Sequence, residues 1–162
     1  MAERGYRKIA EFGALYQSDS LSVRFRGLSM FITESRGAYT GNIVASQDYF
    51  LTQIDSLGLL DELGGTTTRL EHILSDLLLP HYTGWLGIDM MAYEGDDRHP
   101  HLHPCIELNL RMTMGVVAMK IAQRLSPSRP MLMAWQRADI SDTANLLLPP
   151  REGFALTLNA KP

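Results

Sequence analysis

Two runs of apolar residues flank a turn in the middle of this chain, and the polar residues inside them constrain its fold more than anything else. The first run is Gly87-Ile88-Asp89-Met90-Met91, the second Pro104-Cys105-Ile106-Glu107-Leu108-Asn109-Leu110-Arg111. Between them, Gly95-Asp96-Asp97-Arg98-His99-Pro100 is rich in turn formers, so the two runs read as a β-hairpin. Side chains alternate faces along a strand, which puts Glu107, Asn109 and Arg111 on one side. With the turn centred near Arg98, Asp89 falls opposite Glu107. Directly opposed residues have Cβ atoms roughly 4.5–5.5 Å apart. Two carboxylates that close repel unless a proton or cation lies between them.

Hard oxygen donors of this kind suit Mg2+ or Mn2+, held by a few protein groups while phosphates complete the shell. Arg111 adds a permanent, fork-shaped charge for phosphate or carboxylate. The ordinary alternative for Asp89 taken alone is a solvated outward position, since Asp prefers the surface. Asn109 resists that explanation. It is a poor strand former set among Cys105, Ile106, Leu108 and Leu110, and a polar group in such company needs a partner.

These residues resemble the end of the ATP-grasp fold, the superfamily of ATP-dependent carboxylate–amine (or thiol) ligases. There, an Asp on one strand and Glu-x-Asn on the next bind the magnesium ions that bridge the ATP phosphates. The resemblance implies that role, with ATP and Mg2+ (or Mn2+) as cofactors, for Asp89, Glu107 and Asn109. Arg111 is similar to the arginine that follows Glu-x-Asn-x in biotin carboxylase, which implies that it steadies the acyl-phosphate and its substrate. Upstream, Arg26-Gly27-Leu28-Ser29-Met30-Phe31 and Gly37-Ala38-Tyr39-Thr40-Gly41-Asn42 look like the paired strands that precede this motif in bacterial ATP-grasp proteins. The resemblance spans most of residues 1–125. It departs in one respect: a complete enzyme of this kind has an N-terminal domain and a small lobe whose lysines clamp the phosphates. The lysines here are Lys8, Lys120 and Lys161. The chain therefore looks like the C-terminal lobe alone, a single domain over residues 1–162 and a fragment expected to be inactive by itself.

Length and composition agree with a single globular unit. The 162 residues suffice for a real core, and the apolar share of 45% is ordinary for a globular fold. A net charge of −3 with no basic run argues against nucleic acid as a partner. No apolar stretch reaches the roughly 18 residues of a membrane span, and Met1–Lys8 is not a secretory leader. One cysteine excludes an internal disulfide, consistent with a cytoplasmic setting. The expected partners are ATP and a small carboxylate in the full-length protein. A lobe exposing apolar surface also tends to self-associate into homo-oligomers.

Along the chain, residues 2–17 space Tyr6, Ile9, Ala10, Leu15 and Tyr16 as a helix would. Leu21–Thr33 and Ala38–Ser46 read as strands joined by a turn at Glu34–Gly37. Gln47–Leu63 and Thr66–Leu79 read as helices separated by Gly64-Gly65, with Thr66 to Thr68 as caps. Thr113 caps a helix over Met114–Leu125, and strands follow at Arg129–Arg137 and Phe154–Asn159, with 141–148 unassigned. This order predicts an α+β fold: an antiparallel or mixed sheet with helices mainly on one face.

Three further features carry alternatives. His99, His101, His103 and Cys105 alternate along one stretch, and imidazole and thiolate ligands suit zinc. A straight strand spreads them about 6–7 Å apart, so a zinc module requires a bend, and a polar turn is the plainer reading. Arg24 and Arg26 share a strand face that is either solvated or, in the ATP-grasp reading, lines the cleft and binds substrate. The helix beginning after Thr113 directs its dipole and free N–H groups toward the site, a place for an acceptor carboxylate or acyl-phosphate. The plainer reading is an amphipathic core helix with an ordinary cap. Met90, Met91, Met112, Met114 and Met119 are core filling. Besides the ligase lobe, a non-enzymatic lobe that binds metal or nucleotide, or contacts another subunit, fits the same residues.

Overall fold

The computed structural model describes residues 5–33, 38–137, 146–152 and 154–160. Eight strands and three helices follow in the order β1 (Arg7–Ser18), β2 (Val23–Thr33), β3 (Tyr39–Val44), α1 (Gln47–Asp55), α2 (Leu60–Leu78), β4 (Gly84–Glu94), β5 (Pro100–Asn109), α3 (Met114–Leu125), β6 (Met131–Arg137), β7 (Leu146–Arg151) and β8 (Phe154–Ala160). The strands form one sheet in the order β5-β4-β1-β2-β3-β6-β8-β7, and every pairing is antiparallel. The fold is α+β.

The helices divide between the two faces, two on one and one on the other. α1 and α2 bury Phe50, Ile54, Leu63 and Leu74 against Phe12, Ala14 and Tyr16 of β1 and Leu86, Ile88 and Met90 of β4. α3 covers the opposite face, packing Val116 and Met119 on Leu15, and Ala118 and Ala122 on Val44, Met133 and Leu156. Successive residues of one strand thus enter different cores, as period-2 geometry requires.

Two elements differ from the sequence reading. Residues 7–18 are a strand, not a helix. β1 is central and covered on both faces, so apolar residues occupy consecutive positions and the alternation that marks a half-buried strand disappears. The helix break also moves. Ser46 caps α1 by accepting a hydrogen bond from the Tyr49 N–H at 3.2 Å, and the chain turns at Gly58, whose φ of +72° favours glycine. α2 then runs straight through Gly64-Gly65. Thr67 and Thr68 sit inside the helix, donating their hydroxyls to the Gly64 carbonyl at 3.1 and 2.9 Å instead of capping an end. The expected turn at Glu34–Gly37 lies outside the described residues.

Candidate active site

β4 and β5 form the predicted hairpin, closed by bonds from the Gly95 N–H to the His99 carbonyl (2.9 Å) and from the Arg98 N–H to the Gly95 carbonyl (3.0 Å). Near the turn, Glu94 pairs with Pro100, Tyr93 with His101, Ala92 with Leu102 and Met91 with His103. That register centres on Asp97, and continued unbroken it would set Asp89 against Cys105. It is broken. Beyond the irregularity, Asp89 pairs with Glu107, Ile88 with Leu108 and Gly87 with Asn109, leaving Pro104, Cys105 and Ile106 opposite Met90. Pro104 has no N–H for the ladder and is tolerated at such a bulge.

The opposed carboxylates lie on the α3 face of the sheet. They open into a cavity of about 460 Å3 that also takes in Glu11, Gly13, Ser29, Asn42 and Arg111. Asn109 donates its amide to Asp89 Oδ2 at 3.3 Å, and Arg111 donates to Asn109 Oδ1 at 3.1 Å, so Asp89, Asn109 and Arg111 form one chain of bonds. Burial pushes the Asp89 carboxyl above the usual carboxylate range, and the neighbouring Glu107 and Glu11 carboxylates push the same way. Arg111 and the Asn109 hydrogen bond oppose that rise without cancelling it.

α3 points its N-terminus at this cavity. Thr113, Met114 and Gly115 line it, and the Thr113 side chain makes no capping bond to the helix. The Val116 and Val117 N–H groups return to the Thr113 carbonyl at 3.1 and 3.3 Å. Those of Met114 and Gly115 stand in the first turn, where a helix offers no acceptor of its own.

Of the sequence candidates, Asp89, Glu107, Asn109 and Arg111 come together around the cavity. Arg24 and Arg26 do not line it: both are exposed, and Arg24 lies 3.9 Å from Glu71 on α2. Nor does the histidine run gather into a zinc site. Pro100–Asn109 stays extended, His101 bonds Asp97 at 2.9 Å, and the His103 ring meets Tyr6 edge-on. Among the described residues, no group of three or more His, Cys, Asp or Glu is arranged to hold a metal ion. Glu11, Ser29, Thr33, Tyr39 and Asn42 line the cavity without having been singled out. Glu11 pairs with Lys8 at 2.8 Å and accepts from the Thr33 hydroxyl at 2.9 Å. The alternation Glu11, Gly13, Leu15 held the signal, once residues 7–18 are read as a strand.

The residues fit a hard divalent cation. Two opposed carboxylates, one raised by burial and by the other, gain by sharing one. Asn109 could supply a third oxygen. Its nitrogen faces Asp89 here, so ligation by its oxygen requires a half-turn of the amide.

The fold is shared with solved ATP-grasp structures. A crystal structure from Archaeoglobus fulgidus assigned to the ATP-grasp superfamily matches with a TM-score of 0.57 at 15% identity, over 97% of this chain and 47% of its own. N5-carboxyaminoimidazole synthetase from Staphylococcus aureus matches with a TM-score of 0.52 at 11% identity. Its complex with ADP gives 0.51 at 10%, and each covers 98% of this chain and 48% of its own. The chain spans about half the length of the structures it matches. No family profile and no curated protein matches the sequence.

Proposed function

We propose that this chain is the catalytic lobe of an ATP-dependent carboxylate–amine (or thiol) ligase, binding Mg-ATP through Asp89, Glu107 and Asn109. The observation that carries it is the pairing of Asp89 with Glu107 inside a cavity that Asn109 and Arg111 close at the N-terminus of α3. A solved structure of the same fold, the Staphylococcus aureus synthetase, was crystallised with ADP.

In this reading Asp89, Glu107 and Asn109 hold Mg2+, which when bound offsets the negative charge of the nucleotide phosphates. Arg111 binds the transferred group through its permanently charged, planar fork. The sheet floor and α3 wall the reacting groups off from bulk water on two sides. A substrate carboxylate accepts the phosphoryl group, and a nucleophile then displaces phosphate from the acyl-phosphate. The described lysines are already engaged: Lys8 pairs with the cavity residue Glu11, and Lys120 lies over the Trp85 ring. ATP turnover by the chain alone is therefore expected at background level.

Titrating the chain with ADP in the presence of Mg2+ or Mn2+ tests the reading. Metal-dependent nucleotide binding, lost in Glu107→Gln, is the expected result; nucleotide binding indifferent to both metal and Glu107 overturns it.

One observation favours a second reading, a lobe that contacts another protein body without catalysis of its own. Ile106, Leu108, Leu110 and Met112 stand 41–59% exposed on or just after the edge strand β5, an apolar run that neighbouring protein would shield. Unmeasurable nucleotide binding together with concentration-dependent self-association would select it.

A further inference from the structure

α2 carries more apolar surface than its own core uses. Its buried residues are Leu63, Thr67 and Leu74, yet Ile73 stands 44% exposed and Leu77 70%. Bonds on the other flank of the helix fix where these two point. Glu71 accepts from the Phe25 N–H at 2.6 Å and Ser75 from the Val23 N–H at 3.0 Å, so that flank lies against β2. Two residues further on is about 200° round a helix. Ile73 and Leu77 therefore turn away from β2, toward the β5 edge of the sheet. There Leu108, opposite the core residue Ile88 and so on the α2 face, is 41% exposed. Helix flank and edge strand form one bare apolar step.

The charges on this flank decide what covers it. Arg69 and Asp76 are exposed on either side of Ile73. Seven residues of helix hold them about 10.5 Å apart along the axis, too far to pair with each other. Among the described residues neither takes part in an ion pair. We infer that this flank is a homodimer interface, with α2 packed antiparallel on the α2 of a second copy of the chain. A two-fold axis beside residues 72 and 73 sets Arg69 of each copy against Asp76 of the other. Ile73 then meets its own copy, and the aliphatic stem of Arg69 lies on the other copy's Leu77. The surface is its own complement, as a two-fold contact requires. Other registers fail on charge. Parallel packing sets Arg69 on Arg69 and Asp76 on Asp76. An axis centred on Arg69 does the first and also brings Asp76 against Glu62; one centred on Asp76 does the second. Like charges brought together in this way oppose association.

Sedimentation of the full chain across a wide concentration range tests the interface, with charge reversals as the probe. The parent should dimerise. Arg69→Asp and Asp76→Arg should each weaken the dimer at least about tenfold by facing like charges, and the double variant should recover the parent's affinity. A dimer indifferent to both single reversals, or a double variant that recovers nothing, overturns the interface. A chain monomeric at every concentration overturns it too and leaves the flank to a different protein body. So does a dimer broken by Leu108→Lys alone, which places the contact on the β5 edge. Should a charge variant fail to fold, cross-linking decides: Ile73→Cys in a Cys105→Ser background should form an intermolecular disulfide on mild oxidation, and its absence overturns the interface. Mg-ADP binding belongs to the α3 face and should be equal in the parent and in the charge variants, so the dimer and the proposed function fail separately.

Discussion

Asp89 and Glu107 face each other across β4 and β5 because three residues of β5, Pro104 to Ile106, stand against the single residue Met90. The register set at the turn would have offered Asp89 the thiol of Cys105. The bulge substitutes a carboxylate, and it also brings Asn109 within reach of Asp89 and Arg111 within reach of Asn109. A local irregularity in the ladder thus assembles the polar part of the cavity, in keeping with the frequency of bulges beside functional sites.

Replacing Glu107 by Gln should weaken Mn2+-ADP binding at least about tenfold, or about 1.4 kcal/mol. Folding should be little affected, because the change preserves side-chain volume and removes a repulsion from Asp89. Calorimetric titration and thermal melting of the same samples measure both. Under the proposed function, turnover of a full-length ligase should fall about 10²–10³-fold, as when one electrostatic contact at a transition state is lost. A variant that melts far below the parent and binds nucleotide normally would make Glu107 a structural residue.

Asp89 yields a pH prediction for the metal-free chain. Its folded-state carboxyl lies above the ordinary carboxylate value, so the folded protein holds this proton more tightly than the unfolded one. Stability from this group is therefore present at low pH and lost as pH rises from the ordinary value through the raised one. Asp89→Asn abolishes that loss. The variant should tolerate more urea than the parent at about pH 7, with the gap closing toward about pH 3, where both forms are neutral. A variant less stable than the parent at neutral pH would show that the charged form is favoured in the fold.

What the sequence disclosed and what it hid follow from the same geometry. Asp89, Glu107 and Asn109 were legible because polar residues interrupt runs that are otherwise apolar. Their pairing was anticipated from a turn centred on Arg98. The turn is centred on Asp97, and the bulge at Pro104 restores the expected partner. Glu11, Gly13 and Ser29 were hidden, since β1 is buried on both faces and Ser29 is an unremarkable strand residue until α3 lies across it. The meeting of β2 with the first turn of α3 is a tertiary fact, invisible to periodicity. Two of the three helices share a face, as the expected order implied; that α3 takes the other face was unreadable, because it resembles any amphipathic helix until the strands beneath it are known.

Arg111 should matter to the nucleotide and not to the metal. Its side chain carries the only described positive charge lining the cavity, and its recorded hydrogen bond goes to Asn109. Arg111→Ala should cost about 1.5–3 kcal/mol of ADP affinity, the range for a hydrogen bond to a charged group. Mn2+ affinity without nucleotide should stay level or rise, as a nearby positive charge is gone. Arg111→Lys should recover only part of the loss, because an ammonium cannot reproduce the fork. Equal loss of Mn2+ and ADP in the alanine variant would mean that Arg111 acts by holding Asn109 in place.

The glycine pair inside α2 gives a stability prediction independent of any function. Gly64 and Gly65 lie in the interior of the helix Leu60–Leu78, neither has a positive φ, and a Cβ on either would meet nothing within 4 Å. Each glycine leaves more conformational freedom in the unfolded chain than alanine would, and the folded helix gains nothing from its absent side chain. Gly64→Ala and Gly65→Ala should each stabilise by about 0.5–1 kcal/mol, raising the melting temperature by about 2–4 °C per kcal/mol for a chain of this size. Gly58 is the internal control. It too has open space around it, but its φ of +72° makes any side chain strained, so Gly58→Ala should destabilise. Urea unfolding of the three variants separates the cases. Destabilisation by alanine at 64 or 65 would mean that α2 breaks at the glycine pair after all, with Thr66 to Thr68 capping a second helix.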